Sequence, residues 1–383
     1  MCYEAEYLMH LFACGSTGRE AQPPQQAVDW ATLVRLAREQ SVVHMVALAL
    51  KQNPQIPVPT PIRAELLSCL MGTAVRNKMR NSAILQLLQR MQDSGIQVLL
   101  LKGMAVARLY KNPECRESAD TDILVLPQDE ERALSFLQNE GFSVTPRLEN
   151  LHHARCTHPT LGLFEVHISL WEEYLDALMF DSLLHNADLR DHIQSVQTED
   201  GCFQTIGTDE TLLFLTLHMM KHFIDNGISL RMVMDLSLYC QAFSGEVNTD
   251  GYGKLLQKLG FARTVSAVYH IAVRYFGFSE TDFPCIGASK PEDMQLLLED
   301  LFAGGWNGVN EKDSRFSGWK MYLKTKQNKN YGSFKGTFLR IRTFITTMLP
   351  ILFPPRAELC AEYPVLKRFG ILYPFSGDPR TII

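Results

Sequence analysis

The sequence predicts an α+β protein in which a small mixed sheet with its own helices is embedded in largely helical domains. Two observations carry this. Apolar residues recur at helical spacing up to about Met91 and again from Asp209, and between these regions short apolar or alternating runs replace that spacing. Gly95, Pro113, Pro127 and Gly141 then cut the middle region into pieces of strand and short-helix length.

Taken in order, Val28 to Leu50 and Pro61 to Met91 are helical, with Ile84, Leu87, Leu88 and Met91 as one stripe. Gly95 ends that helix, and Gln97 to Leu101 is a short apolar run of the kind a buried strand shows. After Lys102 and Gly103 a brief helix, MAVARLY, stops at Asn112 and Pro113, and a strand follows over Asp120 to Leu126, closed by Pro127. The segment QDEERALSFLQNEGF is a helix with Ala133, Leu134 and Leu137 inward, acidic residues in its first turn and Gly141 past its end. Leu163 to Ile168 is a further strand whose alternation puts Glu165 and His167 on one face. The run TLLFLTLHMMKHFIDNG restores helical spacing, and the next helix carries Arg231 and Asp235 as an i, i+4 pair.

The expected organisation is a helical region over 1–80, an α/β core over 81–200, a helical domain over 201–290 that closes the site, and a C-terminal extension over 291–383. Within the extension, Arg315 to Arg342 is basic, without acidic residues, and interleaved with Trp319, Tyr322, Tyr331, Phe334 and Phe338. Such a stretch is first of all a solvated helix face; stacking on single-stranded nucleic acid is the functional alternative.

At 383 residues the chain exceeds one ordinary core, and 46% hydrophobic with 21% charged residues is globular composition. A formal net charge of -5 excludes a global positive field that would hold a polyanion. The nine cysteines lack disulfide-framework spacing and read as reduced thiols, while Glu4 and Glu6 stand where a signal peptide carries basic residues. The expected compartment is the cytoplasm. No run approaches the roughly 18 apolar residues of a membrane span.

The chemistry concentrates in LLLKGMAVARLYKNPECRESADTDILVL. On a strand, Asp120 and Asp122 point to the same side, so two carboxylates meet within reach of one hard cation. Adjacent carboxylates repel, and a magnesium ion that shares its shell with substrate phosphates removes that cost. Gly103, at a strand-to-helix junction, lets backbone approach phosphate oxygens, and Arg116 and Ser118 add a guanidinium and a hydroxyl beside the carboxylates. Glu165 is the candidate third carboxylate. His218, Lys221 and His222 share one helical face, so Lys221 can reach a phosphate while the histidines, with His167, support the carboxylate shell. The cluster His152, His153, Cys156 and His158 fits no closed four-ligand zinc pattern and reads as a polar hairpin loop at the rim.

The order strand, Lys-Gly, short helix, R-x-S-x-D-x-D, strand resembles the DNA polymerase β-like nucleotidyltransferase superfamily, and within it the bacterial family of uncharacterised nucleotidyltransferases. The resemblance covers roughly Arg80 to Tyr239 and rests on Lys102-Gly103, Arg116, Asp120 to Val125, Glu165 with His167, and His218 with His222. It implies that Asp120 and Asp122 bind two Mg2+ ions, with Mn2+ as substitute, and that Glu165 ligates one ion or takes the acceptor proton. It further implies transfer of a nucleoside monophosphate from an NTP, ATP first, to the hydroxyl of a small molecule, protein or RNA. The superfamily's Gly-Ser turn is Lys102-Gly103 here, which leaves its serine role to Ser118, and Ile168 stands in place of a Trp. The same residues admit a nucleotide-binding module without turnover, or a toxin-type enzyme acting on tRNA or protein.

Overall fold

The computed structural model describes residues 1–145, 153–170, 192–225, 228–259, 261–287, 289 and 291–304. His152 and the basic stretch 315–342 lie outside the described residues.

Three helices open the chain, α1 (Tyr3–Thr17), α2 (Trp30–Glu39) and α3 (Val43–Gln52), and a 34-residue helix α4 (Thr60–Asp93) follows. Asp29 caps α2 by accepting from the backbone N-H groups of Ala31 and Thr32. Pro61 sits in the first turn of α4, where its missing N-H has no cost, and Gly95 ends the helix at φ 73°. At about 1.5 Å per residue α4 is roughly 50 Å long. Leu66 and Leu70 near its start join a helical core, and Ile84, Leu87, Leu88 and Met91 near its end join the core beneath the sheet.

The sheet has five strands in the order β1-β2-β5-β4-β3. These are β1 (Val98–Leu100), β2 (Asp120–Val125), β3 (Ser143–Thr145), β4 (His153–His158) and β5 (Gly162–His167). Only β2 and β5 pair in parallel; the other neighbours are antiparallel. Between β1 and β2 the expected seven-residue helix is a single α-turn, α5 (Met104–Ala107), followed by a 3-10 turn at Pro113–Cys115. Helix α6 (Glu130–Asn139) covers the sheet as expected, burying Ala133 and Leu137.

Alternation divides the sheet cleanly. Val98, Leu100, Ile123, Val125, Ala154, Cys156, Phe164 and Val166 pack on α4 and α6. The opposite face carries Asp120, Asp122, Glu165, His167 and His153, with Leu99, Leu101 and Leu124 at one end against Ile206 and Phe214. The presumed hairpin loop at 152–158 is therefore largely strand β4. Its register sends Cys156 into the core, while the His158 ring packs 4.9 Å from that of Phe142.

A hairpin that sequence reading missed, β6 (Gln194–Thr198) and β7 (Gly201–Thr205), packs beside α4 and β1, and Thr205 Oγ1 donates to the carbonyl of Leu100. Its strands alternate and are joined through Glu199-Asp200-Gly201, which is the local signal that could have revealed it. Beyond it lie α7 (Thr208–Asp225), α8 (Leu230–Ala242), α9 (Thr249–Lys258), α10 (Ala262–Ile271) and α11 (Pro291–Gly304). These helices and the first three share one apolar cluster. Phe12 packs edge-on to Phe276 at 5.6 Å, and Arg19 Nη1 donates to the carbonyl of Gly277. Among the described residues no helix is long and apolar enough to cross a membrane.

Candidate active site

Parallel pairing of β2 with β5 sets Asp122 directly beside Glu165, so the two carboxylates share one face of the sheet. One carboxylate oxygen from each of Asp120, Asp122 and Glu165 lies within 4.8 Å of the other two. Asp122 is almost wholly buried, and its Oδ2 has no hydrogen-bond partner. A buried carboxylate oxygen left unpaired is costly, and a cation among these three groups would satisfy it. The residues present therefore fit a divalent metal.

Lys102 follows β1 and sends its ammonium into the same space. Nζ is 3.3 Å from Asp120 Oδ2, 3.3 Å from Asp122 Oδ1 and 3.2 Å from His218 Nε2. Burial acts against its charge, but the carboxylates of Asp122, Asp120 and Glu165 outweigh burial and raise its pKa. Burial likewise opposes ionisation of Asp120, and the Lys102 ammonium holds that carboxyl below its usual range. For Asp122 burial wins, and its pKa rises to about 6, with Lys102 only partly offsetting it.

Histidines wall the site. His167 Nε2 lies 3.2 Å from Asp122 Oδ1, and its pKa is pushed down to about 3, first by burial. On α7, Phe214, His218 and His222 follow one face: the Phe214 and His218 rings stack at 6.0 Å, and His222 meets His218 edge-on at 4.6 Å. Burial lowers both of these histidines, His222 to about 4. Lys221 on the same helix adds its positive charge against His153, His167, His218 and His222.

Beside Asp120 a small cavity is lined by Arg80, Gly103, Arg116, Ser118 and Thr121 among others. Gly103 has φ 66°, and a Cβ there would face Ser118 Oγ at 3.6 Å and the Asp120 carbonyl at 3.8 Å. Ser118 Oγ donates to that carbonyl at 2.9 Å, a local bond that shapes the turn into β2. Arg116 donates from Nε and Nη2 to Asp235 at 2.8 and 2.6 Å, and the Tyr110 hydroxyl donates to the same carboxylate. Asp235 thus holds Arg116 rather than serving a pair with Arg231 alone, whose Nη1 donates to the Glu117 carbonyl. The third nitrogen of Arg116, Nη1, is buried without a partner, as is Nε of Arg80. Arg80 lies 38 positions before Ser118, outside the sequence motif around Asp120. Together with Asn77 it ties α4 to the loop before β2, donating to the Ser118 carbonyl while Asn77 donates to those of Glu114 and Arg116. Asn77 and Arg80 stand among other polar residues of α4, Arg76, Lys78 and Asn81, so no local pattern sets Arg80 apart. A larger cavity of about 870 Å3 shares Asn81, Met104 and Ala107 with this one and carries Lys78, Lys111, Glu199 and Asp200 on its walls.

A mixed sheet that presents three carboxylates beside a glycine turn is compatible with metal-assisted nucleotidyl transfer. The family described as "Uncharacterised nucleotidyltransferase" matches residues 26–277, and the chain belongs to that family. Among curated proteins no relative matches. Solved structures similar to the chain include a lincosamide antibiotic adenylyltransferase with lincomycin bound, at 15% identity over 41% of this chain and 93% of that one, TM-score 0.30. The antibiotic-resistance factor ANT(2'')-Ia matches at 11% identity over 51% and 97%, TM-score 0.33. An antigenic nucleotidyltransferase-like protein from Paracoccidioides brasiliensis matches at 14% identity over 49% and 96%, TM-score 0.29. Likeness at this level says nothing of what the chain acts on.

Proposed function

We propose that the chain transfers a nucleoside monophosphate from a nucleoside triphosphate, ATP first among them, to an acceptor hydroxyl, with magnesium as cofactor and pyrophosphate as leaving group. The observation that supports this most directly is the convergence of Asp120, Asp122 and Glu165 within 4.8 Å, with a buried oxygen of Asp122 left unpaired. Asp120, Asp122 and Glu165 would hold the Mg2+ ions, for which Mn2+ can substitute; when bound, the metal neutralises charge on the attacking and leaving oxygens. Lys102 supplies the positive charge between the carboxylates in the metal-free chain, and it is the side chain placed to meet a phosphate oxygen beside them. Gly103 keeps the turn open to backbone approach, while Arg116 Nη1 and Arg80 Nε are buried donors that lack an acceptor until an anion arrives. Asp235 acts through Arg116 by fixing its plane. Glu165, less buried than Asp122, ligates one of these ions or takes the proton of the acceptor hydroxyl. His167 orients Asp122 through its 3.2 Å contact. Lys221 and His222 close the site from α7.

The test is incubation of the chain with each radiolabelled nucleoside triphosphate, Mg2+ and cell lysate, in parallel with Asp122→Asn. Label transferred by the wild type alone is the expected result. Magnesium-dependent triphosphate binding that is equally tight in Asp122→Asn, read by titration calorimetry, would remove the metal-site reading.

A further inference from the structure

The same sheet face carries a second ligand set, one strand further from Asp120. In the β4–β5 register His153 stands directly across from His167, and Glu165 is two residues before His167 on the same face. His153 Nε2 is 3.8 Å from Glu165 Oε1, and His167 Nε2 is 4.0 Å from Glu165 Oε2. One ligand atom from each of the three residues fits within 4.8 Å, and the two imidazole rings are 5.2 Å apart. Around a tetrahedral ion with bonds of about 2.0–2.1 Å, ligand atoms stand roughly 3.4 Å apart; the two histidines meet different oxygens of Glu165 at 3.8 and 4.0 Å, and no pair of ligand atoms starts further apart than 4.8 Å, so side-chain rotation alone can close the set.

We infer that His153, Glu165 and His167 form a binding site for a divalent transition-metal ion, with Glu165 as the carboxylate shared with the Asp120/Asp122 centre. The chemistry of the donors separates the two centres. Asp120 and Asp122 offer oxygen alone, which suits Mg2+ or Mn2+, whereas two imidazole nitrogens with one carboxylate select borderline ions such as Co2+, Cu2+ or Zn2+. Lys102 differs between them as well: its ammonium stands between Asp120 and Asp122, where it competes with a cation. Metal binding at the second set takes the Nε2 lone pairs of both histidines, so the ion held by His167 replaces the 3.2 Å Nε2 contact that orients Asp122 when the ion is absent, and His167 carries its ring proton on Nδ1. Asp122 Oδ1 then becomes available to either ion. The two centres face one another across Glu165, an arrangement in which the second ion fixes the third carboxylate of the first.

The experiment uses the full chain, stripped with a chelator and titrated with Co2+, whose visible d–d absorption reports nitrogen ligation and coordination number. Binding of one Co2+ equivalent that millimolar Mg2+ does not displace is expected. His153→Gln, which keeps a polar side chain of similar size on β4, should melt like the wild type and weaken Co2+ binding by at least the 10–100-fold that loss of a mere supporting residue costs. Asp120→Asn should keep the Co2+ spectrum while losing Mg2+-dependent triphosphate binding, so failure of one centre is read separately from failure of the other. Electron spin-echo spectroscopy of Cu2+ bound to the wild type gives a second readout that needs no variant, with nitrogen couplings expected from two imidazoles. Absence of those couplings, no Co2+ bound by the wild type, easy displacement by Mg2+, or an unchanged affinity in His153→Gln would each overturn the assignment.

Discussion

The ammonium of Lys102 stands 3.3 Å from Oδ1 of Asp122, deep in the site where a cation is called for. With side-chain exposures of 14% and 1%, the pair is shielded from solvent, and the lysine acts as the counter-ion of the carboxylate cluster when no metal is bound. Lys102→Met removes that charge without adding bulk. Breaking a buried pair costs about 3–5 kcal/mol, and the loss here should fall at the low end because Asp122 can take up a proton. In chelator the variant should melt below the wild type, and millimolar Mg2+ should recover much of the difference. Identical melting of the two proteins in chelator would show that Lys102 does not neutralise the cluster.

Gly103 sits at φ 66°, a conformation that costs a non-glycine residue about 1–3 kcal/mol, while the space around its missing Cβ is ordinary contact distance. Gly103→Ala should therefore lower stability by about 1–2 kcal/mol and weaken triphosphate binding by about tenfold or more, because the turn can no longer approach the phosphates. Denaturant titration and calorimetry on the same preparation separate the two effects. If stability drops and affinity does not, the phosphates bind elsewhere.

Glu165→Gln keeps size and hydrogen bonding and removes the charge. With Asp120 and Asp122 still in place, triphosphate affinity should stay close to wild type while transfer falls by about 100-fold or more, the scale of losing a general base. Pyrophosphate release with water as a slow acceptor provides the assay before the natural acceptor is known. Equal rates would take Glu165 out of the mechanism.

The buried histidines make the metal-free protein acid-sensitive. His167 and His222 have folded-state values of about 3 and about 4, both depressed from the ordinary 6.5. Between those values and 6.5 the unfolded chain binds more protons than the folded one, so stability present above pH 6.5 is lost as pH falls. Asp122 opposes this: its folded value of about 6 lies above the unfolded one, so its own contribution favours folding at low pH and fades as pH rises through 6. Two depressed imidazoles against one raised carboxyl leave a net loss on acidification. Denaturation midpoints in chelator between pH 7 and pH 4.5 should fall, and His222→Gln should flatten the slope. A profile with the same slope in wild type and variant would show that His222 is not held neutral by the fold.

Much of this was fixed by local pattern. Period-two alternation alone puts Asp120 and Asp122 on one side of β2 and Glu165 with His167 on one side of β5, because successive side chains of a strand must point oppositely. Helices α4 and α6 announce themselves by their apolar stripes and their glycine ends, and Gly103 by its place between strand and helix. Where the chain turns back is another matter. The neighbourhood of Asp122 and Glu165 depends on a parallel register between strands some 40 residues apart. Arg116 finds Asp235 across 119 positions, and Lys102 finds His218 across 116. No spacing rule reaches that far. His153, read in sequence as part of a rim loop, joins the site because β4 pairs with β5 in a register that sets it across from His167. The helices at either end likewise meet in one core, which periodicity cannot show, since an apolar stripe states that a face is buried and not what buries it. The sequence by itself determined the class of chemistry and the faces that carry it; the tertiary structure alone decided which charges meet, because long-range pairing follows from packing the whole chain rather than from any one segment.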